Sequence, residues 1–448
     1  MNAKRLMFVA LFIFQSALGQ QLMDEGFKLL ETGDFEKAET FFDAYLQKEP
    51  SNKTALICYG RAVGLSGEPK KAIAHFKVLK AQYPQDFEIA VNFNEAFLWD
   101  GQFEEAKPLY ESLLKLYPDS FAVHLGYANT LSNLKEYPEA LEWINKTIIL
   151  DSTNTSARVS RKYIRLGYAD MLLKKKNYTK AEDLLKENFS DFPKDKETLI
   201  SLANLYLIRK EVDKAKEAYI AMATTAADSI RALNGMSLAE HIGKNDRYAL
   251  SLAAQALEKA QLIKDEVLKS QTQERYVQAL IWNSSFGKAK TQIDSLEQVH
   301  SNEPWVKALR ATLGMYTADF WVSIEEYDDI LAIDSTSFDG NLGKANALFA
   351  SDRIIPAYRA AFKTLSVFPG QPDAQGLVEK INGLHIPTTE ARAFYTFDNG
   401  NNIAHGNQVS ANIPLSTKFM STLSYMYRNT ENTLTSNQAL SHILLAGV

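Results

Sequence analysis

Small and aromatic residues return along this chain at a fixed step. Ala38, Ala72, Ala106 and Ala140 lie 34 residues apart, and Phe42, Phe76, Tyr110 and Ile144 repeat the step four residues later. Residues four apart share one face of a helix. Pro50, Pro84 and Pro118 hold the same step, with Ser152 in the fourth place, and each proline marks a helix end. Short turns recur in between: Gly33-Asp34-Phe35, Gly67-Glu68-Pro69, Gly101-Gln102-Phe103 and Lys135-Glu136-Tyr137. The pattern predicts two helices per step. The alanine marks their close crossing, and the aromatic fills the space between neighbouring units. Gly26 and Gly60 hold the small position of the first helix, which Asn94 and Ala128 take later.

A two-helix unit of this length, with four columns kept in register over four units, resembles the tetratricopeptide repeat family. The register survives two lapses. Ala140 to Ala181 is 41 residues, which places a seven-residue insertion around Arg158 to Ile164; Ala181, Ala215 and Ala249 then return to 34. The unit around Ala249 is degenerate, and Leu262 to Glu274 reads as an extended polar loop. A step of 40 reaches Ala289, after which Ser323 and Ala357 are again 34 apart. The fold class is therefore mainly α, with about ten helix-turn-helix repeats over residues 20–369. The resemblance implies that they stack into a right-handed superhelix.

The period changes near the C-terminus. A capping helix and linker are expected over residues 370–387, ending at His385-Ile386-Pro387. From Thr388 only Glu390, Arg392, Asp398, Lys418, Arg428 and Glu431 are charged, six in 61 residues, and the spacing becomes two. Strands are predicted at Ala391–Asp398, Ile403–Ile413, Phe419–Arg428 and Ala439–Val448, the first closed by the turn-forming pair Asn399-Gly400. Residues 388–448 thus form an antiparallel β segment. Alternating segments of about ten residues with aromatic ends suit a transmembrane barrel. The segment resembles the opening strands of the YaiO-type outer-membrane barrel family. The overall plan is similar to polysaccharide-export porins of the cellulose synthase operon protein C type. Closing such a barrel takes at least about eight strands, so this reading expects a truncated barrel.

The N-terminus adds an address. Lys4 and Arg5 precede an apolar run from Leu6 to Phe14, and Ala17 and Gly19 stand at the −3 and −1 positions of a cut before Gln20. Residues 1–19 therefore read as a secretory signal peptide. The chain has 448 residues, 49 basic against 54 acidic, a net charge of −5 that argues against nucleic acid as the partner. Its one cysteine, Cys58, excludes an internal disulfide and reads as a small buried residue.

Catalytic chemistry is hard to find. The seven histidines have no partner at metal-ligand spacing, and no phosphate-cradling loop or nucleophile motif is present. No catalytic residue, metal or cofactor is assigned, and an enzyme is not expected. Surface remains. The family resemblance implies that first helices line a concave groove, which here places Arg61, Glu95, Trp99, Asn129, Asn133, Asp170 and Asn204 toward a partner. A groove with amides, both charge signs and an exposed Trp99 suits an extended peptide or a glycan. The expected protein is an exported periplasmic scaffold of a Gram-negative bacterium. It binds protein partners, is tethered to an outer-membrane barrel and is linked to envelope polysaccharide export. The alternative is a soluble periplasmic adaptor or chaperone-like binder whose strands form only a small β cap.

Overall fold

The computed structural model describes residues 23–448, so the leader expected at 1–19 lies outside the described residues. The chain divides into two compact units, with the boundary between Met222 and Ala223.

The first unit begins with the helix pairs α1 (Asp24–Thr32) and α2 (Phe35–Leu46), then α3 (Lys53–Ser66) and α4 (Pro69–Gln82). Next come α5 (Phe87–Trp99) with α6 (Phe103–Leu116), and α7 (Phe121–Asn133) with α8 (Tyr137–Leu150). The last two pairs are α9 (Thr155–Lys174) with α10 (Tyr178–Asp191), and α11 (Lys196–Ile208) with α12 (Val212–Met222). The seven expected extra residues are helical. They add about two turns and lengthen α9 to 20 residues.

The column residues behave as the repeat demands. Ala38, Ala72, Ala106, Ala140, Ala181 and Ala215 are all fully buried, as are Phe42, Phe76, Tyr110 and Ile144. Glycines make room for the rings. A methyl group on Gly60 would sit 2.6 Å from the Phe76 ring, and one on Gly126 would sit 2.3 Å from Tyr110. Cys58 is buried in the same core as Phe42.

Most first helices open on a side-chain cap. Asn52 accepts from the Ala55 amide, Asp86 from Ile89, Ser120 from Val123, Asn154 from Ala157 and Asp195 from Thr198. Such caps satisfy a backbone donor that the helix itself leaves unpaired. Second helices follow a tight corner instead, and each corner holds one residue with positive φ. Gly33, Gly67 and Gly101 fill that place first, then Lys135, Lys176 and Lys210.

In the second unit the pairs are α13 (Ala226–Ile242) with α14 (Asp246–Ala260), and α15 (Glu266–Trp282) with α16 (Phe286–Val299). They continue as α17 (Pro304–Tyr316) with α18 (Phe320–Ile333), and α19 (Phe338–Ala350) with α20 (Ile354–Val367), closed by α21 (Pro372–Gly383). The polar loop expected over Leu262 to Glu274 is mostly absent, because Asp265 caps α15 and the helix starts at Glu266. Ser323, standing in the alanine column, is fully buried and donates to the Ala311 carbonyl at 2.8 Å. Tyr327 meets Gly343 with the 16-residue offset that Tyr110 keeps to Gly126. Lys244, Ser284, Ala318 and Asp352 hold the positive-φ corners. With those of the first unit, each of the ten described pairs has one. A left-handed corner costs a residue with a Cβ about 1–2 kcal/mol. Ala318→Gly is therefore expected to stabilise the second unit by about 1 kcal/mol, after the looser glycine backbone of the unfolded chain is subtracted. A urea titration followed by circular dichroism checks it, and a lowered midpoint would show that this corner is not strained.

Beyond α21 the chain forms β1 (Thr388–Phe397), β2 (Asn402–Pro414), β3 (Met420–Asn432) and β4 (Gln438–Gly447). They make one antiparallel sheet in sequential order. Phe419, expected at the start of the third strand, lies in the turn before it. Register sets Ala391, Val409, Tyr425 and Leu444 side by side on one face. Their neighbours Glu390, Ser410 and Ser424 share the other. Among the described residues no helix packs broadly on either face.

Candidate functional site

The expected groove residues lie on the first helices of successive pairs. In the first unit α1 touches α3, α3 touches α5, α5 touches α7, α7 touches α9 and α9 touches α11. Among the described residues no two second helices share a comparable interface. First helices therefore form a continuous inner row, and side chains on their free side share one surface.

The seven groove residues fall on successive members of this row: Arg61 on α3, Glu95 and Trp99 on α5, Asn129 and Asn133 on α7, Asp170 on α9 and Asn204 on α11. Their environments differ. Asn133, Asp170 and Asn204 are exposed, whereas Arg61, Glu95 and Asn129 are half-buried. Asp170 is paired with Lys174 at 2.7 Å. Asn133 donates to the Asn129 carbonyl at 2.8 Å. Trp99 departs from expectation: it is half-buried and packs into the core with Phe76 and Ile89. The reason is Gly64 on the preceding first helix, where a Cβ would lie 2.2 Å from the indole.

Electrostatics single out the Arg61–Glu95 region. Burial pushes the Glu95 carboxyl above the usual carboxylate range, with the Arg61 guanidinium pulling the other way. Glu88 is raised for the same reason and opposed by the same arginine. A carboxyl raised in the folded state weakens folding at pH values where both states are ionised. That loss is recovered as pH falls through the folded-state value. Glu95→Gln is thus expected to stabilise the first unit at pH 7 and to lose its advantage near pH 4. Urea midpoints at the two pH values check this; an equal effect at both would sever it from ionisation.

Less visible in the sequence is a row of clasps between neighbouring pairs. Lys53 on α3 reaches Asp86, the cap of α5, at 2.6 Å. Lys162 on α9 reaches Asp195, the cap of α11, at 2.9 Å, and Arg231 on α13 reaches Asp265, the cap of α15, at 3.2 Å. Each basic residue precedes its aspartate by 33 or 34 positions, so the repeat step was the available signal. The Lys162 clasp is the most enclosed. Lys162 also binds Glu197 at 2.9 Å, while Arg161 and Arg165 converge on Asp191 at 2.9 and 2.6 Å. Burial pushes the Asp195 carboxyl up, but hydrogen bonds from Lys162 and Thr198 outweigh it and hold it below the usual range.

The second unit has a polar recess of its own. A cavity of about 250 Å³ opens between α13 and α15, lined by Arg231, Asn234, Leu268, Gln271, Glu274, Arg275 and Gln278. Asn234 gives its amide N–H to Thr272 at 2.9 Å, while its buried carbonyl oxygen has no donor. Nearby, His241 stacks on Trp282 at 3.9 Å and binds Asp246 at 2.6 Å. Among the described residues no three His, Cys, Asp or Glu side chains group as metal ligands, and no helix is long and apolar enough to cross a membrane. These surfaces offer hydrogen bonds and charge to a partner.

Two family models, each described as a tetratricopeptide repeat, match residues 24–87 and 98–157. No curated protein matches the chain. Solved structures similar to it include a tetratricopeptide repeat protein from Parabacteroides merdae, 18% identical, covering 56% of this chain and 96% of that one with a TM-score of 0.36. Yeast Tom70 is 14% identical and covers 81% and 88%, with a TM-score of 0.43. A thermophilic tetratricopeptide repeat protein of Thermus thermophilus is 20% identical and covers 42% and 98%, with a TM-score of 0.33. With its stacked helix pairs and these matched segments, the chain has the helix-pair fold of tetratricopeptide repeats, followed by a four-stranded antiparallel sheet.

Proposed function

We propose that this scaffold is exported to the periplasm of a Gram-negative bacterium and tethered there to an outer-membrane β-barrel. Its repeats recruit a protein partner, and the barrel passes an envelope polysaccharide. One observation carries the tether. The C-terminal sheet exposes large apolar side chains that a soluble sheet would pack against a helix or a second sheet. Tyr395, Phe397 and Leu444 are 64%, 80% and 74% exposed. The apolar leader at residues 6–14 supports export.

The inner row supports the recruiting role. Arg61, Glu95, Asn129, Asn133, Asp170 and Asn204 present amides and both charge signs along consecutive helices, a surface matched to an extended peptide or a glycan chain. Trp99 backs that surface. Fractionation of the native host tests the tether: recovery with outer membranes is expected, and recovery wholly in the soluble periplasm would leave a free adaptor. An Asn129→Ala, Asn204→Ala double variant tests the groove. It is expected to lose a partner that the parent retains on affinity purification, and an unchanged partner set would move the binding surface elsewhere. Deleting the gene is expected to reduce surface polysaccharide, and an unchanged amount would remove the export role.

A further inference from the structure

The sheet has two unlike faces, and its polarity also changes along the strands. Near the 415–419 turn the first face is mostly apolar: Ala411, Leu423 and Ala446 lie in one row and Val409, Tyr425 and Leu444 in the next, with Thr389 and Ser421 at its margin. Toward the turns at 398–401 and 433–437 it becomes mixed, with Asn407, Tyr427 and His442 in one row and Tyr395, His405 and Asn429 in another. An apolar band bounded by aromatic and polar side chains at strand ends is the profile of a wall facing lipid.

The opposite face of β2 and β3 is polar or small apart from Met420 and Met426. Gln408 donates to Ser424 at 3.0 Å, and Thr422 donates to Asn412 at 2.9 Å. Ala404 and Ser424 are buried there, and Phe394 lies over Gly406, where a Cβ would come within 2.7 Å of the ring. On the edge strand β4, Ile443 and Leu445 also stand on this side, so the contrast belongs chiefly to β2 and β3. Strands of 10 to 13 residues, at about 3.3 Å per residue, are long enough to cross a hydrocarbon layer when tilted.

The turns have sides too. Asn432 donates to the Gly400 carbonyl at 3.0 Å and to Asn402 at 2.9 Å, and the Thr433 amide donates to the Asn401 carbonyl at 2.9 Å. These bonds join the first and third turns into one polar cap. The second turn lies at the other end of the strands, the end at which the chain enters β1 from the helices.

We infer that the Val409–Tyr425–Leu444 face contacts membrane lipid, and that the joined turns at 398–401 and 433–437 lie across the bilayer from the helical repeats. The turn at 415–419 then stays on the repeats' side. This rests on the tether proposed above, and it fixes which surface meets lipid and which turns reach the cell exterior.

Single-cysteine variants in a Cys58→Ala background of the full chain, expressed in the native host, test the arrangement. Asn399→Cys and Leu434→Cys are expected to react with a membrane-impermeant maleimide on intact cells. Lys418→Cys is expected to react only after the outer membrane is permeabilised. Within the sheet, Val409→Cys should react with a lipid-soluble maleimide and resist a small water-soluble thiosulfonate, to which Ser410→Cys should respond. A membrane-bound product with Lys418→Cys labelled on intact cells overturns the sidedness alone. Equal attack on Val409→Cys and Ser410→Cys by the water-soluble reagent overturns the face assignment. A product that never joins the membrane overturns the tether and, with it, this inference.

Discussion

Replacing Asp195 with alanine is expected to destabilise the first unit by about 2–4 kcal/mol, the sum of a lost charged hydrogen bond and a lost helix cap. Two losses combine. Lys162, only 8% exposed, loses one of its two carboxylate partners. Helix α11 also loses the acceptor for its Thr198 amide, by itself worth about 1 kcal/mol. Asp195→Asn should keep most of the cap and reveal the ionic part. Because this carboxyl is held below its ordinary range in the folded state, its contribution is present above the unfolded value near 4 and fades as pH falls through the folded one. Urea titrations of parent and variant should therefore converge in acid. A loss below about 1 kcal/mol at pH 7 would mean that Glu197 alone satisfies the lysine.

Gly126→Val should be at least as damaging, by about 3 kcal/mol or more, since a new Cβ at this position would overlap the fully buried ring of Tyr110. The neighbouring backbone has little freedom to yield, as α7 is buried along most of its length. Tyr110→Leu in the same chain should restore part of the loss by opening space. A rescue of that kind distinguishes overlap from the poorer helix propensity of valine, which a change at residue 110 does not touch. Tyr110→Phe alone is expected to be neutral or mildly stabilising. Its hydroxyl is buried without a hydrogen-bond partner. Thermal unfolding of the four proteins is sufficient, and a Gly126→Val protein as stable as the parent would show that the Tyr110 ring is not tightly seated against α7.

How much of this was readable depends on the kind of contact. The alanine and aromatic columns were plain because full burial at a crossing tolerates few residue types. The sheet was plain because alternation has a short period. Corners were legible only in part: Gly33, Gly67 and Gly101 announce left-handed backbone, whereas Lys135, Lys176 and Ala318 adopt the same shape with no compositional mark. The loop expected around Leu262 failed because a stretch rich in Lys, Gln and Glu looks polar whether it is a solvent-facing helix or coil. Asp265 as its cap was the overlooked sign. Trp99 illustrates a different gap. Its placement on a first helix followed from the step, but its half-burial depends on Gly64, 35 positions earlier, and only the fold reveals that pairing. The clasps hide for a similar reason, since lysine and aspartate are common and only their spacing makes them partners.

In the first unit each second helix packs against the first helix of the next pair, and consecutive first helices also touch, so every pair is held to its neighbour along two seams. Tilting one pair against the next would have to disturb both seams at once. The clasps add an ionic lock to these seams, and around Lys162 four such pairs bind α9 to α10 and to the start of α11.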